Sequence, residues 1–343
     1  MKDIKNLVFS GAGTKILLFA GALKYLDEND ILKNIDSYCG TSSGSIISLA
    51  LVLGYTISEI IELLIKMDFE KLKCINSDSF LNFFETYGLD NLDSLERVFR
   101  IIIKAKMGDE NITFKELYEK TNKLLVITVT NLNIIDSEFF DYKTKPNFKV
   151  IDALLASICI PFIFKPQKFG DNYYIDGGAT NNYPIDYFKD SIENTLGIVN
   201  IGSLCNNSIC ERIEINSIED YFMCITFSSF YKLNKNALEK YEDNTIKIYY
   251  DAGVVDFDMP LDMKYDLITH GYEETKTFFE KLLENNDIVN QNDIVDIDQN
   301  DLIDQNDIVN QNDIVNQNQN DLIDVNQNDI VNQNDIVNQN DNN

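Results

Sequence analysis

Two short apolar runs in the first fifty residues each stop at a glycine-bearing loop and then give way to a helical pattern. This repetition constrains the fold more than any other feature of the chain. Leu7-Val8-Phe9 ends at Ser10-Gly11-Ala12-Gly13, and Ile16, Leu17, Phe19, Ala20, Leu23 and Leu26 follow at helical spacing. Tyr38-Cys39 runs into Gly40-Thr41-Ser42-Ser43-Gly44, and Ile46, Ile47, Leu49, Ala50 and Leu53 follow in the same way. Two strand-loop-helix units in succession predict parallel strands joined by helical crossovers, since parallel neighbours require such connections.

The rest of the chain keeps the alternation. Ser58 is expected to cap a helix carrying Glu59, Ile60, Ile61, Leu63 and Leu64, and a further helix is expected from Leu92 to Met107, ending at Gly108. Thr113-Phe114-Lys115-Glu116 has the form of a capping box opening a short helix to Asn122. Leu124 to Val129 is a continuous apolar and β-branched run, the pattern of a strand buried on both faces. Val150 to Ile158 reads as helix, stopped before Pro161, and Tyr173-Tyr174-Ile175 as a strand stopped by Asp176-Gly177-Gly178. Leu196 to Ile201 and Ile246 to Tyr250 read as strands, Ile218 to Tyr241 and Leu261 to Glu284 as helices. The expected class is α/β, with a mostly parallel central sheet flanked by helices.

Composition matters where it changes along the chain. From Asn285 to Asn343 there are 59 residues of only six types, repeating Asn-Asp-Ile-Val-Asn-Gln with a period of six. This tail holds 13 Asp and no other charge, so it carries nearly half of the net charge of -27. It lacks aromatic residues and glycine, and its like charges recur at every repeat, so disorder is the expectation. The expected division is a globular domain over 1–284, with a helical rim insertion over about 58–123, and an acidic repeat tail over 285–343. The body alone carries -14, which argues against nucleic acid, because phosphate binding needs clustered Lys and Arg.

Cys39, Cys74, Cys159, Cys205, Cys210 and Cys224 are scattered without a C-x-x-C pair, so free thiols in a reducing, cytoplasmic compartment are expected. Lys2 and Lys5 precede an apolar run from Ile16 to Leu23 containing Ala20-Gly21-Ala22, a pattern resembling a signal peptide. Asp3 and Lys15 break that pattern, and a secretory signal is not the expectation. No run reaches the roughly 18 apolar residues of a membrane span. His270 is the only histidine, so zinc sites and Ser-His-Asp triads have almost nothing to be built from.

Gly40-Thr41-Ser42-Ser43-Gly44 matches G-x-S-x-G, in which small residues allow a sharp turn from strand to helix. Such a turn presents Ser42 at a helix N-terminus, where free N–H groups favour developing negative charge. Asp176 is the candidate base, since a carboxylate at a strand end can share a rim with Ser42. Free aspartate has a pKa of about 3.9, too low for an efficient base at neutral pH, and partial burial would raise it. The loop Ser10-Gly11-Ala12-Gly13-Thr14-Lys15 exposes successive backbone N–H groups and suits either an oxyanion or a phosphate. Gly11 and Gly13 also fit the first two glycines of a dinucleotide fingerprint, with Ile16 where the third should stand. Nucleotide binding is therefore a competing reading of the loop.

Together the three elements resemble the patatin-like phospholipase family. The loop is similar to that family's glycine-rich oxyanion motif, the elbow to its G-T-S-x-G, and Asp176-Gly177-Gly178 to its D-G-G/A. Gly21-Ala22-Leu23-Lys24-Tyr25-Leu26, Ala156-Ser157-Ile158-Cys159-Ile160-Pro161 with Phe164, and Asn181-Asn182-Tyr183-Pro184 resemble further family segments. The resemblance is good from about Lys5 to Phe188, weaker to Glu284 and absent from the tail. It implies a three-layer fold and a Ser-Asp dyad without histidine, with Ser42 as nucleophile and Asp176 as base. It places the oxyanion hole at the N–H groups of Gly11, Ala12, Gly13 and Thr14, centred on Ala12 and Gly13. Gly40 and Gly44 shape the elbow, Lys15 matches the family's basic position, and Gly177 and Gly178 follow the base. The implied activity is hydrolysis of acyl esters of phospholipids or related lipids at a membrane or micelle surface, with no metal or cofactor.

Two positions depart from the family pattern. Ala12 stands for its middle glycine, tolerable at negative φ and strained at positive φ. Ile16 stands for its last glycine, where helix and strand normally approach closely. These departures motivate the alternative of an inactive lipid- or protein-binding module. The segment from Ile60 to Lys106 is expected to form helices at the active-site rim, with Phe69, Phe80, Phe83, Phe84 and Phe99 as candidate apolar lining.

Overall fold

A computed structural model describes residues 3–69, 77–201, 236–250 and 259–293, with 215, 218, 221, 222 and 224–226 among the intervening positions. The chain divides into two units, Met1–Leu283 and Glu284–Asn343. The repeat tail from 294 onward, half of the positions of the helix expected over 218–241, and Cys74, Cys205 and Cys210 lie outside the described residues.

In chain order the strands of the first unit are β1 (Asn6–Phe9), β2 (Ser37–Thr41), β3 (Gly88–Asp90), β4 (Leu124–Asn131), β5 (Asp136–Phe140), β6 (Phe162–Phe164), β7 (Gln167–Phe169), β8 (Asn172–Asp176), β9 (Thr195–Ile201) and β10 (Thr245–Tyr249). The helices are α1 (Ile16–Glu28), α2 (Ser43–Val52), α3 (Ile57–Lys66), α4 (Ser77–Thr86), α5 (Asp93–Met107), α6 (Phe114–Thr121), α7 (Val150–Ser157) and α8 (Gly178–Asn181), and a last helix spans Leu261–Asp293.

Among the described residues the main sheet has eight strands in the order β10-β9-β1-β2-β4-β8-β7, with β5 also pairing β4. Strands β10, β9, β1, β2 and β4 are mutually parallel, while β5, β8 and β7 join in antiparallel sense. Alternation along β1 explains the layers. Leu7 and Phe9 face one apolar cluster with α1, α2 and α7, while Val8 faces a second with Cys39, Val126, Tyr183 and Val199. A sheet buried on both faces selects continuous apolar strands.

The last helix seats against α1 through two glycines. A methyl group on Gly21 would lie 1.9 Å from the Ile268 carbonyl oxygen, and one on Gly271 would lie 2.0 Å from that of Leu18. Tyr25 stacks on Phe279 with ring centres 5.6 Å apart, extending the same contact.

The structure revises several element boundaries. Thr56, not Ser58, caps α3, because Thr56 and Glu59 form a reciprocal capping box. The expected box at Thr113 and Glu116 is present on α6. The last helix runs to Asp293 rather than Glu284. Strands β3, β5, β6 and β7 were not expected, whereas helix α4 falls within the segment from Ile60 to Lys106 expected to be helical. Each of these strands is three to five residues long, too short for a clear period. No helix among the described residues is long and apolar enough to cross a membrane.

Candidate active site

Strand β2 lies between β1 and β4 and is buried along Tyr38 to Thr41. The chain reverses at Ser42, whose φ of 54° and ψ of -125° lie where side-chain-bearing residues are rarely found. Helix α2 begins at the next residue. The turn is tight enough to exclude any side chain on its flanks. A Cβ on Gly40 would sit 2.4 Å from the Gly44 carbonyl carbon, and one on Gly44 would sit 2.5 Å from the Ser10 carbonyl oxygen. The Ser42 N–H is held by the hydroxyl of Ser157, at 2.9 Å, from the end of α7.

Register brings Asp176 to the same point. Strand β2 pairs with β4 up to Thr41 opposite Thr128. Strand β5 occupies the other edge of β4, so β8 takes over the edge that β2 leaves, with Asp176 opposite Val129. Ser42 is therefore one residue beyond the last β2 pair, and Asp176 is one β4 position beyond it. Gly177 then passes so near Thr128 that a Cβ there would lie 2.4 Å from its carbonyl oxygen.

Asp176 is fully buried. Its Oδ1 accepts the Gly178 N–H at 2.8 Å, while Oδ2 is buried without an aligned hydrogen-bond partner. Burial pushes its pKa up from the ordinary carboxylate value to about 7, against the lowering effects of the Ser42 hydroxyl and the Gly178 N–H. The Ser42 hydroxyl thus stands near enough to act on the carboxyl, yet Oδ2 keeps an unspent lone pair.

The loop from Gly11 to Thr14 crosses the elbow, and Gly13 has a φ of 57°. Not all of its N–H groups are open. Gly11 N–H donates to the Asn182 carbonyl at 3.0 Å, and Ala12 N–H donates to Ser43 Oγ at 2.9 Å. Ala12 has a φ of -141°, so the methyl group in place of the family's glycine causes no backbone strain. Lys15 is buried rather than solvated, with 6% exposure. His270 lies on the last helix with its Nε2 at the Tyr249 carbonyl.

A cavity of about 90 Å³ opens beside Ser42. Its walls are almost wholly apolar and include Ile16, Ile46, Phe69, Phe99, Ile160 and Phe164. Ile16 thereby supplies cavity wall beside Ser42. Of the five phenylalanines expected at the rim, Phe69 and Phe99 line this cavity. Phe80 and Phe84 are exposed on α4, and Phe83 stacks with Phe222 at 5.5 Å. The short pairing of β3 with β6 connects α4 to the cavity wall at Phe164.

Ser43, Ser157 and Asn182 belong to the site through their hydrogen bonds, and none was singled out for a role from sequence. The available signal was a small polar residue within an apolar helical pattern, as at Ser157 between Ala156 and Ile158.

Comparisons with known proteins give the family and the fold. The family model for patatin-like phospholipase matches residues 7–189. An uncharacterized protein of Acanthamoeba polyphaga mimivirus is 32% identical over 293 residues, covering 82% of this chain and 96% of that protein. A probable lipid hydrolase of Invertebrate iridescent virus 6 is 38% identical over 188 residues, covering 54% of this chain and 63% of that protein. In fold, the chain resembles the crystal structure of VipD from Legionella pneumophila, with a TM-score of 0.53 and 16% identity over 81% of this chain and 67% of the other.

Proposed function

The chain belongs to the patatin-like phospholipase family, and from that premise we propose that it is a lipid acyl hydrolase working through a Ser42-Asp176 dyad. The observation that carries the reading is the buried Asp176 carboxyl, with a pKa of about 7 and an unpaired Oδ2 at the nucleophile. A carboxylate raised to this range is basic enough to take the Ser42 proton near neutral pH.

In the first half-reaction Ser42 Oγ forms a bond to the acyl carbon as its proton passes to Asp176. The carbonyl electron pair moves onto oxygen, and the oxyanion is held by N–H groups of the Gly11 to Thr14 loop. Gly11 and Ala12 already donate within the protein, so Gly13 is the loop residue best placed for this role. Collapse expels the alcohol, which takes its proton from Asp176. Water, deprotonated by Asp176, then attacks the acyl carbon, and Ser42 Oγ leaves as it takes that proton back from Asp176, releasing the fatty acid. No metal or cofactor enters these steps.

The apolar cavity suits an acyl chain, and the substrate class is acyl esters of phospholipids or related lipids presented at a membrane or micelle surface. Residues 1–284 constitute the hydrolase domain, with the rim over about 58–123, and 285–343 an appended acidic repeat. The unpaired thiols of Cys39, Cys159 and Cys224 fit a reducing compartment, the cytoplasm.

The test is release of fatty acid from phospholipid or from a short p-nitrophenyl ester by purified protein. Ser42→Ala and Asp176→Asn should each abolish it, and hydrolysis persisting in Ser42→Ala would sink the dyad. A second reading, an inactive lipid- or protein-binding module, is favoured by the engaged N–H groups of Gly11 and Ala12. Covalent labelling of Ser42 by a fluorophosphonate separates the two, since only a competent oxyanion site promotes it.

A further inference from the structure

Ser43 follows the nucleophile and opens α2. Its side chain is nearly buried, at 4% exposure, and lines the cavity with Ser42 and Gly13. A hydroxyl carries one proton and two acceptor lone pairs. The Ser43 oxygen spends a lone pair on the Ala12 N–H at 2.9 Å. Among the described residues, no acceptor is recorded for its proton.

The neighbouring serines of the same helix behave differently. Ser45 donates its hydroxyl proton to the Ser42 carbonyl at 2.5 Å, and Ser48 donates to the Gly44 carbonyl at 2.9 Å. Both follow the usual habit of bonding a carbonyl one turn back. Ser43 is the first residue of α2 and has no earlier helical turn to receive its proton. It is thus a buried donor, fixed from behind by the oxyanion loop and bordering the space where an acyl carbonyl would react.

We propose that Ser43 is a catalytic residue whose hydroxyl donates a hydrogen bond to the oxyanion formed on attack by Ser42. This rests on the assignment of Ser42 as nucleophile. As Ser42 Oγ bonds to the acyl carbon and its proton moves to Asp176, the carbonyl electron pair collects on oxygen. The Ser43 O–H stabilises that charge without transferring its proton. The Ala12 N–H remains bonded to Ser43 Oγ throughout and polarises the O–H, so the loop acts through the hydroxyl. The Ala12 N–H is thereby useful to catalysis although substrate does not touch it.

The experiment compares Ser43→Ala and Ser43→Thr with the unaltered chain, in full-length protein, by kcat, KM, Tm and the rate of fluorophosphonate labelling at Ser42. Ser43→Ala should lower kcat on the order of a hundredfold and slow labelling in parallel, with KM and Tm nearly unchanged. Ser43→Thr keeps the hydroxyl and should recover most of the loss. A kcat for Ser43→Ala within about twofold of the unaltered chain would overturn the proposal while leaving the Ser42-Asp176 reading intact. A loss confined to KM or Tm, or a Ser43→Thr protein as slow as Ser43→Ala at unchanged Tm, would also overturn it and leave Ser43 as a tie between loops. Failure of the unaltered chain to hydrolyse esters or to label at Ser42 would instead remove the reading on which the proposal rests.

Discussion

The Ser157 hydroxyl bridges the Ser42 N–H, at 2.9 Å, to the Thr128 carbonyl, at 2.7 Å, where β2 leaves the edge of β4. It replaces the ladder bond that the elbow interrupts, and it anchors Ser42, whose backbone is strained. Ser157→Ala would leave two buried backbone groups without partners, at a cost of about 1–3 kcal/mol. Chemical denaturation should show that loss, and kcat should fall more than KM rises as the elbow relaxes. An unchanged stability would mean that water or another group replaces the bridge.

If Asp176 acts as the base, its pKa of about 7 sets the pH at which hydrolysis begins. The profile of kcat/KM should rise through about pH 7 and fall away below it as Asp176 gains its proton. An acid limb near the ordinary carboxylate range, about pH 4, would contradict the role assigned to burial.

Burial of Asp176 also has a consequence for stability. Its folded pKa lies above its unfolded value, so the contribution is fully present below about pH 4 and is lost as pH rises through about 7. Above that the fold holds a buried carboxylate. Asp176→Asn removes the charge and keeps an oxygen for the Gly178 N–H. It should therefore be inactive but more stable than the unaltered chain at about pH 8, by up to about 4 kcal/mol, with the difference vanishing below about pH 4. Denaturant titrations at the two pH values check this. Equal stability at both would show that the carboxylate is solvated.

Gly11 is confined by Asn182. A Cβ there would lie 2.2 Å from Asn182 Oδ1 and 3.3 Å from Ser42 Cβ, and Asn182 Nδ2 holds the Gly11 carbonyl at 3.3 Å. Gly11→Ala should push Asn182 aside, shift the oxyanion loop and lower kcat on the order of tenfold or more. Adding Asn182→Ala removes the clash and should recover part of the loss. No recovery in the double variant would assign the effect to the loop itself.

The unit boundary between Leu283 and Glu284 predicts the behaviour of a truncated chain. Removal of residues after Glu284 should leave the fold and hydrolysis unchanged, with Tm and kcat close to those of the full chain. A truncated chain that fails to fold would show that the repeat is structural.

The elements that were legible in sequence have strong local signals. The buried strands around Val8 and Val126 are apolar or β-branched runs, the one around Cys39 is marked by the glycine-bearing turn that ends it, and the Thr113-Glu116 box states its own helix start. Helix α3 starts before the expected cap because Thr56, unlike Ser58, has a glutamate three residues on, the same box spacing as at Thr113 and Glu116. The short strands β3, β6 and β7 owe their existence to partners elsewhere in the chain. Three residues of sequence carry no period that would reveal them.

The same division applies to the site. Ser42, Asp176 and the Gly11 to Thr14 loop stand out because sharp turns and exposed N–H groups need small residues at fixed spacing, which sequence displays directly. A single histidine leaves a Ser-His-Asp triad almost nothing to be built from. Tertiary structure alone decided that β8 would take the edge of β4 just where β2 ends, bringing Ser42 and Asp176 together across 134 positions of chain. It also decided that the Asp176 carboxyl would be buried and its pKa raised, and that the Ala12 N–H would meet a serine hydroxyl instead of open space. Spacing along a chain specifies which backbone turns are possible. Desolvation and hydrogen-bond partners depend on what the rest of the fold packs against those turns.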